Sequence, residues 1–203
     1  MTATATDLGT KVWPGLTPRL LLPAPESFAD YVKAGGYQVL DDPDGLLDEV
    51  TAAGLLGRGG AGFPIAVKLR TVRTAHLAGR QTVIVANGEE GEPASVKDRW
   101  LLRNRPHLVL DGVRLAARII GADQAYVYVS DPDSARTVEA ALAETDPGLT
   151  ISVVTVSPAY VAGEESAAVR VINGGPAKPT DKPPRVFEEG VAGHPTQVSN
   201  VET

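Results

Sequence analysis

The chain has 203 residues, room for one sizeable domain, and an apolar fraction of 43% that is ordinary for a globular protein. Nineteen Lys and Arg stand against 25 Asp and Glu, and the resulting net charge of −6 argues against non-specific nucleic-acid binding. There is no Cys and there are only three His, which excludes a disulfide, a thiolate zinc site and an ordinary iron–sulfur cluster held by these residues.

No apolar run approaches the roughly 20 residues of a membrane-spanning helix. The N-terminal stretch MTATATDLGTKVWPG lacks the apolar centre of a signal peptide. A cytoplasmic protein is expected, free or peripheral to a membrane complex, with no membrane insertion by this chain. Residues 1–25 contain Pro14, Pro18, Pro23 and Pro25 and read as an extended arm; one α/β domain is expected over 26–203. Residues 26–36 place Phe28, Tyr31 and Val32 at helical spacing before a Gly stop. Residues 44–54 repeat the form, with Asp44 as cap and Gly54 just past the end.

A loop, GRGGAGFP (57–64), comes next, and Pro64 suits the start of a helix running to Gly79. The β-branched run 82–86 predicts a buried strand. The loop NGEEGEP (87–93) leads to two helices parted at Pro106. A second strand is expected over 124–130 and a helix over 131–145, with Asp131 as cap and Pro132 first. A third strand is expected over 150–156 and a short helix over 163–174. The last 30 residues, with Pro176, Pro179, Pro183, Pro184 and Pro195, read as irregular loop. Alternating strands and helices imply a Rossmann-like three-layer α/β domain with a mostly parallel sheet and a Gly-rich loop between helices. Ligands of such sheets sit beyond the carboxyl ends of the strands, here near Asn87 and the loop into Gly163.

Gly57, Gly59 and Gly62 have the Gly-x-Gly-x-x-Gly spacing. A dinucleotide fingerprint needs a strand before the first Gly, and the preceding LLDEVTAAGLL has helical periodicity. Three readings stay open: that fingerprint, a plain interhelical turn, or a phosphate or flavin cradle of another kind. Glu89, Glu90 and Glu92 follow a buried strand with no cation among them. They are either a solvated acidic turn or a carboxylate set for ligand hydroxyls and amides. Glu164 and Glu165 suit a helix N-terminus by its dipole, or repeat that carboxylate theme. Asn200 has the character of a helix cap. No catalytic triad or metal site is supported by the three His, and KPTDKPPR reads as a solvated basic loop.

Taken together, GLLGRGGAGFPIAVK, VIVANGEEGEPASVKDR, YVAGEESA, KPP and GHPTQVSNVET stand in the order and spacing of one family. Over residues 27–203 the chain resembles the flavoprotein (51 kDa-type) subunit of respiratory NADH dehydrogenase (complex I). Related flavin subunits serve NAD-linked hydrogenases and formate dehydrogenases. The resemblance implies an FMN-binding, NADH-oxidising module of a multi-subunit oxidoreductase, which passes electrons to an iron–sulfur partner or ferredoxin-like acceptor. It implies that Gly57, Arg58, Gly59, Gly60, Ala61 and Gly62 line the flavin and that Lys68 lies near the flavin or its phosphate. Asn87, Glu89 and Glu90 would meet the ribityl chain and ring edge, and Gly163, Glu164 and Glu165 the other side. Val198, Ser199, Asn200 and Thr203 would hold the phosphate end. Phe63, Glu92 and Lys182 would form the NADH pocket, Glu92 facing the nicotinamide as the catalytic residue; no metal is implied on this chain.

The chain departs from the family pattern at several positions. Glu89 replaces an Asp, Ser199 an Asn, and Arg185 an adenine-stacking Phe, for which Phe187 is a candidate substitute. Arg185 would also suit the 2′-phosphate of NADPH. Family members continue into a ubiquitin-like domain and a helical domain that ligates a 4Fe–4S cluster, neither of which is expected within these residues. The rival expectation is a non-catalytic interaction module whose flavin site has degraded.

Overall fold

The most apolar strand lies at the centre of the sheet. In the computed structural model, which describes residues 14, 15, 17 and 19–203 apart from Pro93, β1 (Val83–Asn87) is buried at every position. A continuous apolar run with both faces covered marks a parallel strand. It pairs in parallel with β2 (Gln124–Val129) on one side and β4 (Thr196–Asn200) on the other, and β3 (Thr150–Thr155) extends the β2 side. The order is β3-β2-β1-β4, and every pairing is parallel. Residues 1–13, 16 and 18, most of the expected arm, lie outside the described residues.

The helices are α1 (Phe28–Lys33), α2 (Pro43–Ala52), α3 (Ile65–Leu77), α4 (Lys97–Asn104), α5 (Pro106–Ile120), α6 (Pro132–Glu144) and α7 (Glu165–Ile172). Alternation along β1 and β2 sorts their side chains between two cores. Ile84, Ala86, Val127 and Val129 pack beneath α2 to α6 with Leu69, Leu102, Leu110 and Ile120. Val83, Val85, Tyr128 and Val198 pack beneath α7. The three layers are those expected. Each fully buried aliphatic side chain in them contributes on the order of 1.5–3 kcal/mol.

Two local expectations are corrected. The cap of α2 is Asp42, whose side chain accepts from Gly45 N–H at 2.9 Å, with Pro43 in the first turn. Asp44 instead pairs with Arg73 at 2.7 Å. Gly54 does sit past the helix end, at φ 59°. The larger correction is β4, in the stretch expected to be irregular. TQVSN carries one aliphatic residue, so its own pattern does not announce a strand; its pairing with β1 and the burial of Thr196, Gln197 and Val198 make it one. Asp131 accepts from Ser134 N–H at 2.9 Å and Pro106 opens α5, as expected; Pro64, expected as the first residue of α3, is its N-cap, and Asn200, expected to cap a helix, is the last residue of β4. The glycine loop between α2 and α3 closes on itself through a Leu56–Pro64 bridge and a Gly57 N–H donated to Phe63 O at 2.8 Å.

Candidate functional site

β4 creates the site's location. The chain runs from β1 outward to β2 and β3, then returns to the far side of β1. The reversal falls between β1 and β4, and open α/β sheets bind ligands beyond the carboxyl ends of strands at such a point. There Asn87 and Asn200 are register partners.

Four distant segments converge on this pair. Asn87 Nδ2 donates to Gly163 O at 2.7 Å, and its Oδ1 accepts from Glu89 N–H at 3.2 Å. Asn200 Nδ2 donates to Asp98 at 2.5 Å and to Asn87 O at 3.3 Å. Its Oδ1 accepts from Lys97 Nζ at 2.7 Å and from Glu202 N–H at 3.1 Å. A Cβ on Gly59 would stand 3.7 Å from Asn200 Cβ, and Arg58 N–H donates to Thr203 Oγ1 at 3.0 Å. From α3, Lys68 Nζ reaches Glu165 at 3.0 Å and Val198 O at 3.4 Å. The segments around residues 60, 90, 164 and 200 therefore form one continuous surface.

Within it, several side chains singled out in the sequence are engaged by the protein itself. The buried Glu90 carboxylate caps α4, accepting from Asp98 N–H at 3.1 Å, Arg99 N–H at 3.0 Å and Ser95 Oγ at 2.6 Å. Burial opposes its ionisation, but the Ser95 hydroxyl and the Arg99 and Asp98 N–H groups outweigh burial and hold its pKa below the ordinary value. Glu164 caps α7, accepting from Ser166 and Ala167 N–H, and pairs with Lys182 at 2.7 Å. Its carboxyl is likewise held low: Lys182 and Ser166 overcome burial. Glu165 lies between Lys68 and Lys182, the latter at 3.6 Å. Both donor hydrogens of the Asn200 amide are spent on protein acceptors.

Glu89 differs from these. It is 6% exposed, and its Oε1 accepts one N–H, from Ala159 at 3.3 Å. Its Oε2 is buried and has no hydrogen-bond partner among the described residues. Burial pushes this carboxyl above the usual range.

Other expected site residues lie on the outside. Gly59, Gly60, Ala61, Gly62 and Phe63 present an exposed rim, and Gly60 and Gly62 hold φ of 101° and 60°, a region glycine enters without strain. Glu92 and Arg185 are exposed, and among the described residues neither side chain pairs with another site residue. Ser199 is register-paired with Ala86, which faces the core beneath α3 and α5, and its hydroxyl accepts from Gln197 Nε2 at 2.9 Å. Phe187, the candidate substitute ring, is packed against the core and is not the exposed aromatic that role needs.

Sequence reasoning missed Lys97 and Asp98. Asp98 is 1% exposed and accepts from Lys97, from Asn200 and from Glu202 N–H, knotting the start of α4 to the end of β4. Burial pushes its carboxyl up against the pull of Lys97. The visible signal was a Lys-Asp pair in the first turn after an acidic loop; its partners lie about a hundred residues away.

Comparison with known proteins agrees with this architecture. The chain is 33% identical to an NADH-quinone oxidoreductase subunit of Aquifex aeolicus, the match covering 93% of this chain and 48% of that protein. It is 36% identical to the mitochondrial NADH dehydrogenase [ubiquinone] flavoprotein 1 of Dictyostelium discoideum, over 79% of this chain and 36% of that protein. The chain thus spans about half or less of the length of these relatives. Among solved structures, an NAD+-reducing NiFe-hydrogenase in its H2-reduced state superposes with a TM-score of 0.73 and 43% identity, covering 80% of this chain and 29% of that one. Among the described residues no helix is long and apolar enough to cross a membrane. Residues 50–203 match the family described as the Nuo51 FMN-binding domain, and the chain belongs to that family.

Proposed function

We propose that this chain is the FMN-binding, NADH-oxidising module of a multi-subunit oxidoreductase. The observation that carries the reading is the convergence at Asn87 and Asn200 of four segments far apart in sequence. The residues fit a flavin mononucleotide. Gly59, Gly60 and Gly62 offer an exposed backbone strip without side chains, suited to close approach by a planar ring. The turn after Asn200, with Arg58 and Lys68 near it, offers donors and positive charge to a phosphate. Glu89 Oε2, at the wall beside Gly163, is a buried polar atom without a hydrogen-bond partner among the described residues.

Bound FMN supplies hydride acceptance from NADH and one-electron release. The chain's own part is orientation and exclusion of water. Gly57 to Gly62 would line one side of the bound group, and Gly163 to Glu165 the other. Asn87 fixes the gap by tying β1 to Gly163. Glu90, Glu164 and Asn200 shape it as caps and ties, rather than as the direct ligands that the resemblance implies. Val198, Ser199 and Thr203 serve the phosphate end, chiefly through backbone and the Thr203 hydroxyl. Phe63, Glu92, Lys182 and Arg185 lie on the exposed side, where a nicotinamide dinucleotide would enter. These residues include no Cys, so an iron–sulfur cluster that accepted the electrons would be held by ligands outside them. The folded unit is residues 26–203, in a cytoplasmic or membrane-peripheral assembly.

The test is the visible spectrum of the purified protein with FMN, before and after anaerobic NADH or NADPH. A flavin spectrum that bleaches with NADH supports the reading; a protein that stays colourless after incubation with FMN overturns it. Faster bleaching by NADPH would assign Arg185 to a 2′-phosphate. Glu92→Gln is expected to slow bleaching by roughly tenfold or more while FMN stays bound. Release of FMN by that variant would show that Glu92 holds the cofactor instead.

A further inference from the structure

α5 is apolar on two of its three sides. Leu110, Val113, Ala117 and Ile120 face the core. Asp111, Arg114 and Arg118 form a polar side that holds Tyr31, the Gln38 carbonyl and Asp41. On the third side Leu108, Gly112, Ala116 and Ile119 stand one turn apart, an apolar stripe along the helix. The stripe is one wall of a groove of about 330 Å³, closed on other sides by α2, α3 and residues 201–203 and lined chiefly by aliphatic side chains. Folded interiors leave few gaps larger than a water molecule, so an apolar groove of this size has the character of an interaction surface.

Gly112 indicates what kind of neighbour the surface fits. A glycine within a helix weakens it relative to alanine. Gly112 is exposed, lies in regular helix, and a Cβ there would meet no described residue within 4 Å, so nothing in this domain requires a glycine. A missing side chain at the centre of an apolar stripe, with Ala116 one turn on, admits close approach by another backbone, as when one helix packs across a second.

A separate feature lies at the floor of the groove. Ser199 lines it, and Gln197, on the same face of β4, donates from Nε2 to the Ser199 hydroxyl at 2.9 Å. Gln197 is 1% exposed, and its Oε1 has no hydrogen-bond partner among the described residues. Buried polar atoms are almost always paired, so this end of the groove suits an occupant that brings a donor. The relatives carry polypeptide that could supply one: the match covers 48% of the Aquifex aeolicus subunit and 29% of the superposed hydrogenase chain.

We propose that the face of α5 centred on Gly112 is a docking surface for an apolar helix of polypeptide outside these 203 residues, the counterpart of the length by which the relatives exceed the match. The helix crosses α5 at Gly112 and brings a polar donor towards Ser199 and Gln197. The inference does not rest on the flavin reading: FMN binding and helix docking can each fail without the other.

Two measurements test it. The first compares the melting temperature of the purified protein with that of Gly112→Ala. A rise of about 2–4 °C is expected, because alanine favours the helix and meets nothing. A fall would show that the glycine serves this domain alone and would overturn the argument. The second places a photo-crosslinking amino acid at Leu115, on the groove wall, in protein assembled in its own cells, and reads the labelled peptide by mass spectrometry. The label is expected on an apolar, helix-forming segment outside residues 1–203. Adding Gly112→Leu is expected to cut that label by about fivefold or more, while the isolated chain melts no lower than wild type. A label on residues 1–13, on a second copy of the chain, on lipid or on nothing overturns the proposal, as does a label that Gly112→Leu leaves unchanged.

Discussion

Glu89–Glu90 and Glu164–Glu165 are two acidic pairs at the same edge of the sheet, and each begins the same way. One carboxylate turns back to cap the helix that follows: Glu90 for α4, Glu164 for α7. The remaining carboxyls part company. Glu165 faces Lys68 and Lys182, whereas Glu89 is buried near the Tyr128 phenol and, among the described residues, pairs with no cation. The difference comes from what the fold brings opposite each pair. α3 and the 180–185 loop carry lysines to the second pair, and β2 carries Tyr128 to the first. Identical dipeptides thus become an ion-paired rim and a buried carboxyl whose pKa burial raises.

The comparison can be broken first at Glu90. Glu90→Ala leaves the Asp98 and Arg99 N–H groups and the Arg99 side chain without their buried acceptor, and should cost about 2–3 kcal/mol in urea denaturation. Glu164→Ala removes a cap at a half-exposed position and should cost about 1 kcal/mol, read from the same curves. Equal losses would show that burial does not distinguish the two caps. Lys68→Met breaks a partly exposed ion pair and should cost about 0.5 kcal/mol or less.

Melting temperature against pH sharpens the contrast within the first pair, because its members carry opposite signs. Glu90 has its folded pKa lowered, so its contribution is present above its ordinary value of 4.5 and is lost as pH falls through the lower folded value. Glu90→Gln should therefore hurt most at neutral pH and least in acid. Glu89 has its folded pKa raised. Wild type should lose stability relative to Glu89→Gln as pH rises from 4.5 towards the folded value, making Glu89→Gln the more stable protein above that window. Two variants shifting the same way with pH would refute the assignment of one low and one high carboxyl.

Much of this was legible from the residues. β-branched runs announced β1, β2 and β3, and Asp131-Pro132 and Pro106 marked helix starts because their signals are local. The convergence of the glycine loop, Asn87 and Gly163 followed from motif order. What stayed hidden depends on partners remote in sequence. β4 is a strand because β1 lies beside it, and Asp98 is buried because Asn200 and Glu202 close over it. Nor does spacing tell whether a carboxylate near a site faces the ligand or the backbone: Glu89 and Glu90 are adjacent, and only the position of α4 separates their tasks.

The bond from Asn200 to Asn87 joins residues 113 apart in the chain. Nearly all of the sheet has been synthesised before its second central partner emerges, and closing so long a loop is slow relative to the local βαβ pairings. The cleft is complete only once β4 has docked beside β1. A molecule bound across that seam would act as a clasp on the newborn domain, linking cofactor supply to how much of the protein survives its own assembly.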